Sequence, residues 1–344
     1  MASAAQVRGL ILEEFVLKLL VNAGYRILNE EEGDEIRNGH NGLELQGRGE
    51  WHQIDALVGY DHTPAFIYPI RLIVEAKAYL PSSYTNGHVS LQVIRNAVGV
   101  LKDVNENYFS HSIDSSEFKY KRFNYAYAIF SLNGFTRNAQ RYAIAHQIFL
   151  IQYYHNRLFD AVRHTLFQIN DKNLYLFFPG LRDISLNDFR LYLRKRFDTV
   201  SDIATNDISL SREGDKLIKE LTKSLHDIRG SYFGLLNGEY PIHITSKHPI
   251  SGIENRDTID AKVYIENAKL IKISFNNNKL FFELPDYLAQ LFQRVWSKKR
   301  LVAETKRRTI SYISITGIID GIKRNLIIRL DRDWLDNYIN RLKS

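Results

Sequence analysis

Two carboxylates and an amine stand at the ends of short apolar segments early in the sequence. Asp55 comes just before one such segment, and Glu75 and Lys77 close the next one. Carboxylate oxygens are hard ligands of the kind that Mg²⁺ prefers, and a neighbouring amine can act on an attacking water and offset the charge that develops at phosphorus. Residues of these types therefore suggest metal-dependent cleavage of a phosphodiester bond.

Strand geometry makes this grouping feasible. Alternate side chains of an extended segment share a face, so Glu75 and Lys77 point the same way. Residues 54–60 and 70–77 each read as a short buried strand, and residues 61–64 read as a turn between them. We expect an antiparallel pair of strands that brings the three polar side chains together.

The sequence around these residues resembles the PD-(D/E)XK nucleases, and in particular their Mrr-like branch. The resemblance implies that Asp55, Glu75 and Lys77 match the Asp, Glu and Lys of the family's core motif. It extends over about residues 7–151, with the flanking elements in the order that the family requires. Several relatives carry the nuclease module behind a DNA-binding domain, whereas here the module comes first, which leaves the specificity open.

The first flanking element is an opening helix. Apolar residues repeat at helical spacing over residues 7–24, and Gly24 followed by Tyr25 ends the pattern. In the family, a helical Glu followed by a Leu-Leu pair often approaches the metal site. Glu13 fits that register better than Glu14, so the resemblance implies a catalytic, metal-binding role for Glu13.

Two further elements carry the resemblance downstream. A helix over residues 89–101 is similar to a Val-Arg…Gly-x-Leu helix of the Mrr-like proteins, and Gln92 at its start is a candidate to face the substrate. Beyond it, a strand over residues 125–130, a helix capped by Thr136 and a strand over residues 148–151 resemble the closing βαβ unit of the family.

The resemblance implies an α/β fold with a restriction-endonuclease-like α/β/α core, and the activity of a Mg²⁺-dependent endodeoxyribonuclease in which Mn²⁺ can substitute. Asp55 and Glu75, with Glu13, would hold the cation, while Lys77 orients or deprotonates water. To act as a base Lys77 needs a lowered pKa; otherwise it is an electrostatic clamp. The implied setting is bacterial restriction or antiviral defence, with a possible protein partner.

Other residues before Asp55 are candidate DNA contacts: Arg48, His52 and Gln53. The alternative for His52 is an ordinary hydrogen-bonding turn residue, and for Gln92 and Glu13 an exposed helix position. Asp55 and Glu75 themselves could be strand-end carboxylates that pair with nearby cations.

Basic residues recur later in the chain. Seven cations lie within fifteen residues beside Trp296, namely Arg294, Lys298, Lys299, Arg300, Lys306, Arg307 and Arg308. They indicate either phosphate contacts, which we expect of Lys298, Lys299, Arg300, Lys306, Arg307 and Arg308, or a solvated helix end and loop. A weaker group is Arg190, Arg194, Lys195 and Arg196 with Tyr192, in which helical spacing puts Arg190 and Arg194 on one face.

Composition supports a polyanionic partner and narrows the chemistry. The 344 residues include 46 Lys plus Arg against 39 Asp plus Glu, a net charge of +7 that favours nucleic acid. The absence of cysteine excludes disulfides, thiolate metal sites and cysteine nucleophiles. We find no phosphate-binding loop or nucleophile elbow. No membrane-spanning run or signal peptide is evident, so we expect a cytoplasmic protein.

The length predicts two domains, with a division near residue 170: a nuclease domain over 1–170, and an α+β domain over 171–344 for target recognition, regulation or oligomerisation. Because cleavage of both strands of a duplex needs two sites, a homodimer or higher homo-oligomer is expected.

The elements predicted towards the C-terminus are helices over 157–168, 185–197, 211–229, 285–296 and 332–342, strands over 172–178, 240–245, 261–265, 268–275, 279–284, 309–317 and 318–330, and a hairpin turn at Asn276-Asn277-Asn278.

Two functions other than a DNA endonuclease are compatible with the same residues. One is a nucleic-acid-binding module of nuclease fold without turnover, against which the intact acidic and basic triad argues. The other is a nuclease that acts on RNA or on recombination intermediates, since the phosphate chemistry is shared.

Overall fold

A computed structural model describes the chain except for residues 1, 40–41, 62, 64, 82–85, 108, 114–115, 121, 201–207 and 342–344, and gives only the backbone of 109–113 and 116–120. The predicted turn at residues 61–64 lies partly outside the described residues, and residues 201–206, a polar stretch between the helices predicted over 185–197 and 211–229, lie wholly outside them. No helix in the described part of the chain is long and apolar enough to cross a membrane.

The chain forms two compact units and passes between them more than once. The first comprises Met1–Val21, Tyr25–Leu150 and Val162–Lys223, and the second comprises Asn22–Gly24, Ile151–Ala161 and Ser224–Ser344. The division expected near residue 170 falls inside the first unit. The reason is that a helix beyond this point returns to the opening helix, where the rings of Phe15 and Phe197 meet edge to face at 6.2 Å.

The elements as far as Lys223 are, in chain order, α1 (Ala4–Asn22), β1 (Arg26–Ile27), β2 (Ile36–Gly39), β3 (Gly42–Gln46), β4 (Trp51–Gln53), β5 (Ala56–Tyr60), β6 (Ile70–Lys77), α2 (Leu91–Asn105), β7 (Phe109–Ile113), β8 (Ser116–Tyr120), β9 (Asn124–Ser131), α3 (Arg137–Ala145), β10 (Ile148–Gln152), α4 (Asp160–Phe167), α5 (Leu174–Phe177), α6 (Leu186–Arg196) and α7 (Arg212–Asp227). A single turn of 3-10 helix, Arg157–Phe159, precedes α4 within the helix predicted over 157–168.

A five-stranded sheet in the order β1-β5-β6-β9-β10 forms the centre of the first unit. The predicted antiparallel pairing of β5 with β6 is confirmed, with Ala56 opposite Val74, and β6 runs parallel to β9. Buried side chains on one face, including Leu57 and Ile73, share a core with α2 and α3. Val74 on the other face is also buried, so both faces are covered, which explains the continuous apolar runs of these strands.

The flanking elements agree with the sequence in type and differ slightly in their ends. The opening helix begins at Ala4, and Gly24 follows it with φ +90°, a conformation that favours glycine. The Thr136 hydroxyl accepts a hydrogen bond from the N–H of Ala139, so the predicted cap of α3 is confirmed. The fold is mixed α/β, as expected.

The strand predicted over residues 172–178 is wrong: the segment contains the short helix α5. A short apolar run does not distinguish a strand from a buried helical turn. Here Leu174 and Phe178, four residues apart, are buried, whereas Leu176 between them is 69% exposed. Buried side chains four residues apart, with an exposed one between them, are typical of a helix. The preceding turn is held by Asn173, whose amide donates to the carbonyl of Gln168 over 2.7 Å.

The second unit contains β11 (Gly230–Leu236), β12 (Tyr240–Ser246), β13 (Thr258–Ile265), β14 (Leu270–Phe275), β15 (Asn278–Glu283), α8 (Asp286–Val295), α9 (Lys299–Thr309), β16 (Tyr312–Ile319), β17 (Ile322–Leu330) and α10 (Arg332–Arg341). The seven strands close into a barrel in the order β11-β12-β15-β14-β13-β17-β16. Their inward side chains and those of the three helices form one hydrophobic core.

The sequence predicted most of these elements but not the barrel. The hairpin at Asn276 is confirmed, since Phe275 pairs with Asn278 and Asn276 has φ +47°. Strand β11 and helix α9 were not predicted. Closure depends on a parallel pairing of β13 with β17 and an antiparallel pairing of β11 with β16, which no local pattern in the sequence encodes.

A buried histidine of the second unit is expected to make stability depend on pH. His243 is 4% exposed; its ring nitrogens lie 2.8 Å from the hydroxyls of Tyr153 and Ser231, and burial lowers its pKa to about 3. Below the ordinary histidine pKa of about 6.5, His243 is protonated in the unfolded protein but stays neutral in the folded protein. Stability therefore falls as pH falls. We expect His243 to lower the free energy of unfolding by about 2 kcal/mol as the pH falls from 7.5 to 5.

The test compares urea unfolding of the wild type and of His243→Gln over this pH range. Trp296 and Trp334 report on the second unit in a Trp51→Phe background. For each protein the free energy of unfolding is plotted against pH. The difference between the two slopes is the contribution of His243. Equal slopes would show that His243 is not held neutral.

Candidate active site

Asp55, Glu75 and Lys77 lie together at one end of the β5–β6 pair. Lys77 Nζ is 2.8 Å from Glu75 Oε1 and 3.7 Å from Asp55 Oδ2. The backbone N–H of Ala76 donates to Asp55 Oδ2 over 3.2 Å, which fixes the carboxylate against the end of β6. The antiparallel register accounts for the grouping, because the residue before β5 faces the last residues of β6.

Asp55 and Lys77 of this cluster line a cavity of about 860 Å³ in the first unit, whereas Glu75 is not among the described residues that line it. Glu13 of α1 also lines it. The β2–β3 hairpin contributes Asn38, and the start of α6 contributes Arg190. Four separate parts of the chain thus surround the carboxylate and ammonium groups.

Glu13 faces Asp55 in this cavity. Burial raises the pKa of Glu13 to about 8, and the negative charge of Asp55 adds to the rise, while Arg190 opposes it. The Arg190 guanidinium donates to Glu13 Oε2 over 2.8 Å. Glu13 is therefore a carboxyl group whose charge is costly where it stands, and a cation placed between it and Asp55 would relieve that cost.

The neighbouring Glu14 has a different environment. Its side chain is 1% exposed, and its carboxylate lies 2.9 Å from Arg194 Nε and 3.1 Å from Arg190 Nε. Glu14 is thus enclosed by two guanidinium groups, whereas Glu13 reaches the cavity. Of the two, Glu13 is the one that lines the cavity, and its role as a metal ligand stays a prediction.

Arg190 and Arg194 lie on one face of α6, as their spacing predicted, but that face meets α1. The sequence alone makes them weak candidates for phosphate contact. Instead, their guanidinium groups bind the carboxylates of Glu13 and Glu14. The sequence carries no signal that joins residues so far apart, so Arg190 was missed as a residue of this cavity.

Lys77 keeps its proton in this environment. Burial alone would lower its pKa, but attraction to Asp55 and Glu75 outweighs burial and raises the pKa above its ordinary value. Lys77 is consequently an ammonium group, suited to stabilising negative charge. The lowered pKa that a general base needs is not present.

Tyr127 of β9 supports Glu75 and was not singled out from the sequence. Its hydroxyl donates to Glu75 Oε2 over 2.9 Å. Burial raises the pKa of Tyr127, with a further rise from the charge of Glu75, so the phenol stays protonated and able to donate. The contact depends on the parallel register of β6 with β9, which a single sequence does not reveal.

The donor set fits a hard divalent cation in its chemistry. Glu13, Glu14, Asp55 and Glu75 carry four carboxylates, against three cations on Lys77, Arg190 and Arg194, which leaves one net negative charge when all are ionised. As the side chains stand, no group of three or more His, Asp or Glu residues in the described part of the chain is arranged to hold a metal ion. Lys77 and Arg190 instead contact the carboxylates.

The other candidate contacts differ in whether they line the cavity. Gln53 lines the cavity. His52 Nε2 lies 2.8 Å from Asp103 of α2, which makes it a hydrogen-bonding residue that anchors the β4 segment. Arg48 is 72% exposed and 3.6 Å from Glu106. Gln92 is exposed on α2, where its amide donates to Asn96 over 3.0 Å, and it is not among the described residues that line the cavity.

The basic cluster of the second unit is smaller at the surface than its sequence suggests. Lys306 is 7% exposed; its ammonium donates to the carbonyl of Val263 over 2.5 Å and lies 5.1 Å from the ring of Trp334. Burial lowers the pKa of Lys306 to about 8. The buried side of α9 explains this, and Lys306 is corrected from a surface cation to a core residue.

Of the six remaining cations of this cluster, Arg294 is exposed on α8 and the other five lie at the two ends of α9. Lys298, Lys299 and Arg300 are exposed at its start, and Arg307 and Arg308 are exposed at its end. Two of them have acidic neighbours: Arg300 lies 2.8 Å from Glu304, and Arg307 lies 3.2 Å from Asp336.

Comparison with known proteins gives no family for this chain. No family model and no curated protein matches it. The crystal structure of a protein of unknown function matches with a TM-score of 0.33 and 15% sequence identity, over 63% of this chain and 97% of the other. A likeness of that size carries no argument about fold or function.

Proposed function

We propose that the protein is a metal-dependent nuclease that hydrolyses phosphodiester bonds of DNA, related to the PD-(D/E)XK nucleases of the Mrr-like branch. The observation that carries the proposal is the meeting of Asp55, Glu75 and Lys77 at one end of the β5–β6 pair, with Glu13 in the same cavity. The resemblance of the sequence to the family's core motif supports the same conclusion.

The roles of the side chains follow from their contacts. Asp55 and Glu75, with Glu13, would hold Mg²⁺ or Mn²⁺, which when bound polarises a phosphoryl oxygen and lowers the pKa of a bound water. The Lys77 ammonium stabilises the negative charge that builds up on the phosphate during attack. Tyr127 holds Glu75 in position, and Arg190 holds Glu13.

Incubation of the purified protein with double-stranded plasmid DNA and, in parallel, with single-stranded circular DNA tests the proposal. The reaction is run with Mg²⁺, with Mn²⁺ and with EDTA, and linear, nicked and supercoiled products are separated on a gel. Cleavage that requires the metal supports the nuclease. If the folded protein binds DNA but cuts neither the plasmid nor the single-stranded DNA with either metal, the non-catalytic binding module is the better description.

Removal of the Tyr127 hydroxyl is expected to weaken metal binding without abolishing activity. Residues that orient a metal ligand typically contribute about 10- to 100-fold in metal affinity or activity. Tyr127→Phe should thus raise the Mg²⁺ concentration for half-maximal cleavage about tenfold. Tyr125→Phe is the matched control, because the hydroxyl of Tyr125 accepts from Arg71 at 3.4 Å and does not face Glu75. Equal Mg²⁺ curves for both variants would contradict the role given to Tyr127.

A further inference from the structure

We propose that the cavity at Asp55 and Lys77 accepts one unpaired nucleic acid strand, with a base against Tyr79, rather than an intact duplex. This inference rests on the proposed function for the position of the reacting phosphodiester, and it adds the substrate class. It is carried by the shape of the cavity, the small number of cations that line it, and the chemistry of its other lining residues.

The shape is that of a pocket surrounded by four parts of the chain. Its volume of about 860 Å³ lies within the roughly 300–1,000 Å³ of small-ligand sites. A duplex is normally read by an element that enters its groove, whereas a single nucleotide or strand enters a pocket or channel. Asp55 and Lys77 lie inside this pocket, so a phosphodiester must enter it to reach them.

The cations of the lining are few. Among the described residues that line the cavity, the positive side chains are Lys77 and Arg190, and both contact carboxylates. A duplex-binding surface commonly neutralises about 6–10 phosphates with Lys and Arg. Two cations inside a pocket suit the one or two phosphates of a short strand.

The lining of the cavity has groups that recognise unpaired bases. Amide side chains line the cavity on different elements: Gln6 on α1, Asn38 on β2, Gln53 on β4 and Asn187 on α6. Amides can donate to and accept from base edges, which are free only when the base is unpaired or read through a groove. Exposed aromatic rings provide the stacking surface that single strands use.

Tyr79 is the aromatic ring in the right place. It lines the cavity, is 41% exposed, and follows Lys77 by two residues, so it continues from the reactive end of β6. Its backbone is fixed, because the amide of Asn133 donates to the Tyr79 carbonyl over 2.6 Å. A base stacked on Tyr79 would place the adjacent phosphate near the Lys77 ammonium.

Binding in the presence of EDTA tests the inference independently of cleavage. The probes are a fluorescent single-stranded DNA oligonucleotide, the same sequence as single-stranded RNA, and a hairpin duplex of equal length, each titrated with the full-length protein and followed by anisotropy. We expect either single strand to bind at least tenfold more tightly than the duplex. Tyr79→Ala and Tyr79→Leu should each weaken strand binding roughly tenfold, and Tyr79→Phe should not.

The matched control is Tyr68→Ala, because Tyr68 is 48% exposed and lies outside the cavity. Circular dichroism checks that each variant is folded. Duplex binding equal to or tighter than strand binding, or strand binding unchanged in both Tyr79→Ala and Tyr79→Leu, overturns the inference. A Tyr79-dependent preference for strands without cleavage of any substrate would uphold the inference and reject the nuclease, whereas efficient cutting of duplex with no strand preference would do the reverse.

Discussion

Replacement of Asp55 by asparagine is expected to lower the rate of DNA cleavage by at least about a hundred- to a thousandfold. Asparagine keeps the shape of the side chain and can still accept from the N–H of Ala76, which is 3.2 Å from the carboxylate in the wild type. It loses the negative charge that attracts a divalent cation. The measurements are single-turnover cleavage of labelled DNA and a calorimetric titration with Mg²⁺, and both cleavage and metal binding should fall.

Lys77→Met separates the two roles at this site. The methionine removes the ammonium that lies between Glu75 and Asp55, so cleavage should fall by a similar factor while Mg²⁺ binding is retained or strengthened. Asp61→Asn, at an exposed carboxylate 3.4 Å from Arg26, is the control and should cleave as the wild type does. Loss of metal binding in Lys77→Met with full binding in Asp55→Asn would contradict the assignment.

The adjacent residues Glu13 and Glu14 are expected to respond in opposite ways to the same substitution. Glu14→Gln removes the charge that pairs with the guanidinium groups of Arg190 and Arg194. The side chains of these two arginines are 15% and 19% exposed. We expect the free energy of unfolding to fall by about 3 kcal/mol, the usual cost of breaking a buried ion pair. Cleavage per folded molecule should stay close to that of the wild type.

Glu13→Gln should have little effect on stability and a large effect on activity. Burial already opposes the charge of Glu13, and glutamine can still accept a hydrogen bond from Arg190, so the loss of stability should not exceed about 1 kcal/mol. Removal of a metal-binding oxygen should lower cleavage about tenfold or more.

Urea unfolding and single-turnover cleavage are measured on both glutamine variants. Glu32→Gln, at a partly exposed carboxylate paired with Arg26, is the control and should change stability by less than about 1 kcal/mol. A Glu14→Gln protein that is as stable as the wild type, or a Glu13→Gln protein with full activity, would show that the roles are assigned wrongly.

Local features of the sequence predicted much of the first unit. The strands that carry Asp55, Glu75 and Lys77 are short, apolar and linked by few residues, so their pairing depends on neighbouring chain segments. The cap at Thr136 and the opening helix depend on still shorter patterns. For these elements local patterns were sufficient, whereas the short helix α5 and helix α9 show that local structure was not predicted everywhere.

Long-range contacts account for the residues of the site that were not predicted. Arg190 meets Glu13, and Tyr127 meets Glu75, only after separate elements have packed, and the sequence between them does not encode these distances. Lys306 looked like one of seven clustered cations, but the orientation of α9 against the barrel buries it. Amphipathic spacing predicts that a helix has a buried side, whereas the neighbours of that side depend on the tertiary fold.

Closure of the barrel sets an order of events during synthesis. Strand β11 cannot complete its pairing until β16 has been made, because Phe233 pairs with Thr316, more than eighty positions later. In the same way β13 cannot pair with β17 until β17 has been made. Until both late strands have left the ribosome, the earlier strands present unpaired edges of the kind that join to other chains. A premature stop between β15 and β16 is therefore expected to yield insoluble protein, even though most of the chain has been made.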